Sequence, residues 1–221
     1  MPHHIRAVLF DLDGTLIDSI PDLAGAVNRL LAAEGREALP ADEVKVMVGD
    51  GAGTLVTRAF NARGGMPGPE VGPYLARFLA DYEPRAAELT RPGPGVEAAL
   101  AALKAKGLKL AVCTNKPSGA TAEVLDKLGL APFFDVVVGG DDAPALKPDP
   151  LHVHACLERL GVSAAEAVLV GDSINDVLAA KAAGVPTIVV SFGYCRGPVS
   201  DLGADMVIDH FDELAVAVGR L

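Results

Sequence analysis

Short apolar runs alternate with amphipathic stretches along most of this chain. The runs AVLF (7–10), LKLAVC (108–113), VVVG (136–139), AVLVG (167–171) and TIVV (187–190) are almost free of polar residues, and MVI (206–208) is a candidate sixth. Strands apolar on both faces are buried between two layers, which is the pattern of a parallel sheet covered by helices. Between these runs the periodicity becomes helical, over 94–106, 117–128, 149–160, 173–183 and 211–220. Pro117 and Pro150 fall where the first turn of a helix tolerates proline, and Gly107, Gly129, Gly161 and Gly184 follow helices as stops. The rhythm predicts an α/β fold with an open, doubly wound parallel sheet.

One interval breaks the rhythm. From about Thr15 to about Leu89 there is no β pattern, only helical segments at 21–34, 41–47, 52–63 and 71–80, with turn-rich GGMPGPE (64–70) before the last. An interval of that length between the first and second strands exceeds any ordinary loop. It predicts an inserted helical cap domain (15–89) within a core domain made of 1–14 and 90–221, with TRPGPG (90–95) as the return linker.

Composition narrows the function. The 221 residues are half apolar, enough to bury a substantial core. Cys113, Cys156 and Cys195 are scattered and show no CxxC spacing, so neither a disulfide framework nor a zinc site is expected. The first ten residues lack a signal-peptide layout, and no apolar run approaches the roughly 18 residues of a membrane span, so a soluble cytoplasmic protein is expected. A net charge of −10 argues against nucleic acid or an anionic membrane as partner. An anionic substrate would need positive charge supplied locally, by a metal, a few basic side chains or backbone N–H groups.

Ligands of an open α/β sheet bind outside the carboxyl ends of the strands. Four strands run there into unusual polar groups: Asp11-Leu12-Asp13-Gly14-Thr15, Thr114-Asn115-Lys116, Lys147-Pro148 and Gly171-Asp172-Ser173-Ile174-Asn175-Asp176. Parallel strands would bring all four to one edge. Four carboxylates gathered there call for a hard divalent cation, and Mg2+ takes one or two of them and keeps its remaining positions for water and phosphate. Asp11 and Asp172 are candidate direct ligands. Asp13, two residues beyond Asp11 on an extended segment, faces the same ligand, so one carboxylate can be nucleophile and the other proton shuttle. Gly14 and Thr15 suit a turn whose amides approach an anion, Thr114 and Asn115 an anion site at a helix start, and Lys147 a fixed positive charge.

These four motifs, in order and across nearly the whole chain, resemble those of the haloacid dehalogenase (HAD) superfamily. The insertion after the first motif, IDS (17–19) and KPDP (147–150) resemble its phosphoglycolate phosphatase branch. The resemblance implies a Rossmann-like core with a helical cap, and a Mg2+-dependent phosphatase acting on a small phosphorylated substrate such as 2-phosphoglycolate. It implies Asp11 as nucleophile, Asp13 as general acid and then base, and a metal held by Asp11, the Asp13 main-chain carbonyl and Asp172, with Asp176 behind them. It further implies that Thr114, Asn115 and Lys147 hold the phosphoryl group, that Ser173 and Asn175 shape the acidic loop, and that the enzyme is a monomer or homodimer.

Other residues carry weaker expectations. Lys116 reads as a surface lysine. GDGAG (49–53) lacks the lysine and strand context of a P-loop and reads as a cap loop facing the site, with Arg58 on the next helix a candidate for a second anionic group of the substrate. His152 and His154 face different sides of their helix and make no metal pair. Among competing functions, a dehalogenase has no need of Asp13 or an acidic metal loop. A phosphonate-cleaving enzyme would need a Schiff-base lysine in the cap, where only Lys45 occurs. A sugar-phosphate mutase could share every core motif, although Thr15 follows the phosphatase form of the first. A non-catalytic binding domain predicts a broken motif, and none is broken.

Overall fold

The computed structural model describes residues 5–221. The chain runs β1 (Ala7–Phe10), β2 (Ile17–Asp18), α1 (Ile20–Ala33), α2 (Ala41–Lys45), α3 (Ala52–Asn61), α4 (Gly72–Tyr82), β3 (Arg91–Pro92), α5 (Val96–Ala105), β4 (Lys109–Cys113), α6 (Ser118–Lys127), β5 (Val136–Val138), α7 (Pro150–Leu160), β6 (Ala167–Gly171), α8 (Ile174–Ala183), β7 (Thr187–Val190), β8 (Met206–Ile208) and α9 (Leu214–Val218). All six apolar runs become strands of one sheet, ordered β5-β4-β1-β6-β7-β8 and parallel throughout. The chain leaves β1 for one side of the sheet and later crosses to the other, so the strand order reverses beside β1, where a crevice forms at the carboxyl edge.

The lack of alternation within the strands is explained by burial on both faces. Val8, Phe10, Val112 and Val170 pack in one cluster with residues of α5, α6 and α9, whereas Leu9, Ala111, Cys113 and Leu169 pack in another with α7 and α8. Ala7 to Phe10 are all fully buried. All three cysteines are free thiols, Cys113 and Cys156 buried, as expected of scattered small hydrophobes.

Helices α1 to α4 form the insertion. Phe60 meets Tyr74 edge to face, Phe78 stacks on Tyr82, and the apolar side chains Leu23, Val56, Phe60 and Phe78 belong to the same cluster as Phe10 and Val112. The apolar core of the insertion is thus continuous with that of the sheet, and its loops meet the sheet at the carboxyl edge. The expectation that 15–89 holds no strand needs correcting: β2 pairs antiparallel with β3, matching Ile17 with Pro92 and Asp18 with Arg91. Two residues are too few to show alternation, and Pro92 is tolerated because the ribbon is all edge. Asp22, in the first turn of α1, accepts from Leu89 N (2.9 Å), Thr90 N (2.8 Å) and Thr90 Oγ1 (2.8 Å), which ties the exit of the insertion to its entrance. The predicted helix 211–220 is a tight turn, Phe211–Glu213, followed by the short α9. Among the described residues, no helix is long and apolar enough to cross a membrane.

Candidate active site

The site begins where β1 ends. Asp11 N donates to Val170 O at 2.9 Å, extending the ladder by one residue and fixing the carboxylate at the sheet edge. Gly14, at φ +86°, turns the chain back, and its N–H donates to Ile17 O at 2.9 Å. A Cβ there would lie 2.5 Å from Asp172 Oδ2 and 2.8 Å from the Tyr194 ring, so only glycine admits the close approach of the two motifs.

Asp11, Asp172 and Asp176 converge. All three are buried, and ligand atoms from each lie within 4.8 Å of one another. Lys147 Nζ sits among them, 3.0 Å from Asp11 Oδ1 and 2.7 Å from Asp176 Oδ1, and donates to Cys113 O at 2.5 Å. One ammonium among three carboxylates leaves two negative charges uncompensated, which is the charge of a divalent cation. The proton affinities agree. Burial raises Asp11 from 3.8 to about 6, against the pull of Lys147 and with the push of Asp176. Asp172 is raised as well, by burial and then by Asp11 and Asp176. Burial alone would lower Lys147, but Asp11 and Asp176 hold it up and keep it charged.

The donor set also separates direct ligands from support. Asp176 Oδ1 is taken by Lys147, and Oδ2 accepts from Asp172 N (3.2 Å), Ser173 N (3.0 Å) and Ser173 Oγ (2.6 Å). Its lone pairs are largely spent, and it orders the start of α8. Asp172 is freer, with Oδ2 accepting from Tyr194 N at 2.5 Å and Oδ1 only distantly approached by Thr15 Oγ1 at 3.4 Å. Buried oxygen donors with two excess charges fit a hard divalent cation such as Mg2+ held by Asp11 and Asp172. The Asp13 side chain is turned elsewhere, which leaves its main-chain carbonyl as the oxygen it can contribute.

Asp13 faces Lys116. Lys116 Nζ lies 3.0 Å from Asp13 Oδ1 and 3.2 Å from Oδ2, and also donates to the Tyr82 hydroxyl. The expectation of a surface lysine is thus overturned: the Lys116 side chain is 2% exposed. A carboxylate and a phenol supplied by two different parts of the chain make its burial tolerable. Asp11, Asp13, Thr114, Asn115, Lys116 and Tyr82, with Leu23, Leu55 and Phe78, line a partly open chamber of about 40 Å³. That space holds roughly three waters. Asn115 departs from simple phosphate binding. Its Oδ1 accepts from Lys147 N (2.8 Å) while its Nδ2 donates to Lys147 O (2.8 Å) and Gly49 O (3.0 Å), so only its main-chain N–H remains to meet an anion. Thr114 Oγ1 accepts from Lys116 N at 3.2 Å, and the hydroxyl keeps its own hydrogen to donate.

The 49–53 loop does face the site, as expected. Asp50 is the fastening: its Oδ1 accepts from Asn175 Nδ2 at 2.6 Å and its Oδ2 from Arg196 at 2.8 Å and from Arg58. Burial would raise Asp50, but the hydrogen bonds from Asn175, Arg196 and Arg58 outweigh it and bring the carboxyl down to about 2. Arg58 also donates to Met47 O at 2.9 Å and does not line the chamber, so the structure does not bring it to the substrate position anticipated from sequence. Asn175 reaches across to the insertion as well as standing in the acidic loop. Lys45 lies over the Tyr194 ring, 5.2 Å from its centroid, and does not line the chamber either, which leaves no insertion lysine for Schiff-base chemistry there. His152 is buried against Val138 O at 3.3 Å while His154 is exposed, as their spacing required. Sequence reasoning missed Tyr82, Tyr194 and Arg196, and it named the loop that carries Asp50 without giving that carboxylate a role. Of the three missed residues only Tyr82 left a signal, four residues beyond Phe78 on one helix face.

A switch-point crevice in a parallel sheet, with acidic cluster, buried lysine and anion-ready helix start under a helical insertion, defines an α/β protein whose site has the donors for an anion and for a hard cation side by side. Residues 8–190 match the family model described as haloacid dehalogenase-like hydrolase, and the chain belongs to that family. It is 49% identical over 205 residues to a phosphoglycolate phosphatase of Caulobacter vibrioides, covering 92% of this chain and 86% of the relative. It is 49% identical over 220 residues to a phosphoglycolate phosphatase of Rhodospirillum rubrum, covering 97% and 91%. Among solved structures, a predicted phosphoglycolate phosphatase from Haemophilus somnus superposes with a TM-score of 0.91 at 30% identity, covering 98% of this chain and 99% of that one.

Proposed function

We propose that this enzyme is a Mg2+-dependent phosphatase of small phosphate monoesters, 2-phosphoglycolate first among them, working through a phospho-aspartate at Asp11. The observation that carries the reading is the separation of two carboxylates only two residues apart: Asp11 lies in the metal-seeking cluster with Lys147, and Asp13 lies outside it on Lys116, while both line one chamber. Bound between Asp11 and Asp172, magnesium would neutralise the cluster and polarise the phosphoryl oxygens. Asp11 Oδ then attacks phosphorus in line, with Lys147, the Thr114 hydroxyl and the Asn115 N–H taking up charge on the equatorial oxygens. Asp13 gives its proton to the leaving oxygen and afterwards takes one from the water that hydrolyses the acyl phosphate.

The helical insertion serves as the cap. Its loop at 49–53 is fastened over the edge and, with Leu23, Leu55 and Phe78, walls the chamber beside Asp11 and Asp13. The names of the relatives support the same substrate. A phosphate-release screen with magnesium over small phosphorylated acids, hexose phosphates, nucleotides and pyrophosphate tests it. The highest kcat/KM is expected for 2-phosphoglycolate, and a preference for hexose phosphates would overturn the substrate assignment.

A further inference from the structure

The chamber contains a cation that the phosphoryl chemistry leaves over. Lys147 is committed to Asp11, Asp176 and Cys113 O. Lys116 lines the chamber wall, its ammonium on both oxygens of the Asp13 carboxylate, at 3.0 and 3.2 Å, and on the Tyr82 oxygen, so a second carboxylate beside it needs to displace only the longer of the two Asp13 contacts. Tyr82 accepts from Lys116, so its own O–H hydrogen is left to donate. Burial raises Tyr82 to about 12 despite Lys116, which keeps that hydrogen in place. Around this pair the wall is apolar, formed by Leu23, Leu55 and Phe78.

We infer that Lys116 and Tyr82 form the receptor for a carboxylate carried by the leaving group, Lys116 as the charge and Tyr82 as a second donor from the insertion. This inference rests on the phosphatase reading above and names how the site selects its substrate. The placement fits the chemistry. Lys116 Nζ is 3.0 Å from Asp13, the group that protonates the leaving oxygen, so the anion it binds must sit close to that oxygen. A carboxylate on the carbon bonded to the leaving oxygen meets this requirement, and one placed several carbons further along a sugar does not. An apolar wall strengthens the pairing by excluding competing water. Tyr82 is supplied by α4 and Lys116 by the edge of the core, so the receptor is complete only with the insertion in place.

Binding of non-hydrolysable phosphonates tests this apart from turnover. Calorimetry with magnesium compares 3-phosphonopropionate, isosteric with 2-phosphoglycolate, with propylphosphonate, which has a methyl group in place of the carboxylate. Wild type is expected to bind the acid about 10- to 100-fold more tightly, Lys116→Met to lose that preference, and Tyr82→Phe to reduce it about threefold or more. Equal affinities in wild type, or a preference that survives in both variants, would overturn the assignment. Should Lys116→Met fail to fold, Lys116→Gln and Tyr82→Phe carry the same comparison. The ester screen keeps the two readings apart: a hexose-phosphate preference with an intact Lys116-dependent ratio defeats only the phosphoglycolate reading, and good phosphoglycolate turnover with an unchanged ratio defeats only this one.

Discussion

The carboxyl edge of the sheet and the seam beneath the helical insertion are both polar, but they are fastened differently. At the edge, Lys147, Asp11 and Asp176 are buried, and the lysine is cross-braced by Asn115 through its main chain. At the seam the 49–53 loop is held through Asp50, which accepts from Asn175 and from Arg196, 44% exposed, and through the Gly49 carbonyl, which accepts from Asn115. Buried groups at the edge have no water to fall back on, so they keep one geometry whether or not substrate is present. Exposed ion pairs at the seam contribute little each and exchange readily with water. Chemistry therefore sits on the rigid side, and admission of substrate on the side that can open.

Substitutions should sort along this line. Asp11→Asn removes the proposed nucleophile and metal ligand at constant volume, and steady-state turnover should fall by more than about 10⁴-fold. Without metal the variant should melt no lower than wild type, because it replaces a buried carboxylate already short of compensating charge; a melting point far below wild type would show that Asp11 holds the fold. Asp13→Ala should reduce turnover by about 10² to 10⁴. Phospho-enzyme formation should suffer less with an aryl ester, whose leaving oxygen needs little protonation, and equal losses for alkyl and aryl esters would remove Asp13 from the acid role.

The charge imbalance at the edge makes a prediction in pH. Asp11 holds its proton more tightly folded, at about 6, than at its ordinary 3.8. That preference favours the metal-free fold at low pH and is lost as pH rises through this window, by up to about 3 kcal/mol. On the proposed reading magnesium takes the place of the proton, so its stabilising effect should be small near pH 5 and large near pH 7.5 in thermal melts. A magnesium effect independent of pH would contradict the cluster as the metal site. At the seam the effects should be smaller: Asp50→Ala should raise KM about three- to tenfold with little change in kcat, and Arg58→Ala should change the discrimination between 2-phosphoglycolate and ethyl phosphate less than twofold. A larger loss of discrimination in Arg58→Ala would return Arg58 to the substrate.

The same division explains what the sequence made legible. Strands β1, β4, β5, β6 and β7 were readable because burial on both faces leaves an apolar run that no surface segment imitates. The four edge motifs followed, since parallel strands deliver their carboxyl ends to one side. The ribbon of β2 and β3 was invisible because two residues carry no period. Lys116 was misjudged because lysines are mostly solvated, and its partner Tyr82 lies 34 positions away in a helix whose packing the pattern alone does not place. Asp50, Asn175 and Arg196 come from three separate stretches and meet only once the insertion has docked.

The central claim is tested most directly by trapping the intermediate. The Asp13→Asn variant, which lacks the base for the second step, is mixed with magnesium and an aryl phosphate, whose leaving oxygen needs little protonation in the first, quenched in acid and analysed by peptide mass spectrometry. The account predicts one phosphoryl group on the peptide carrying Asp11, removable by hydroxylamine. A phosphoryl group on another residue, or phosphate released in a single turnover with Asp11 never labelled, would contradict it.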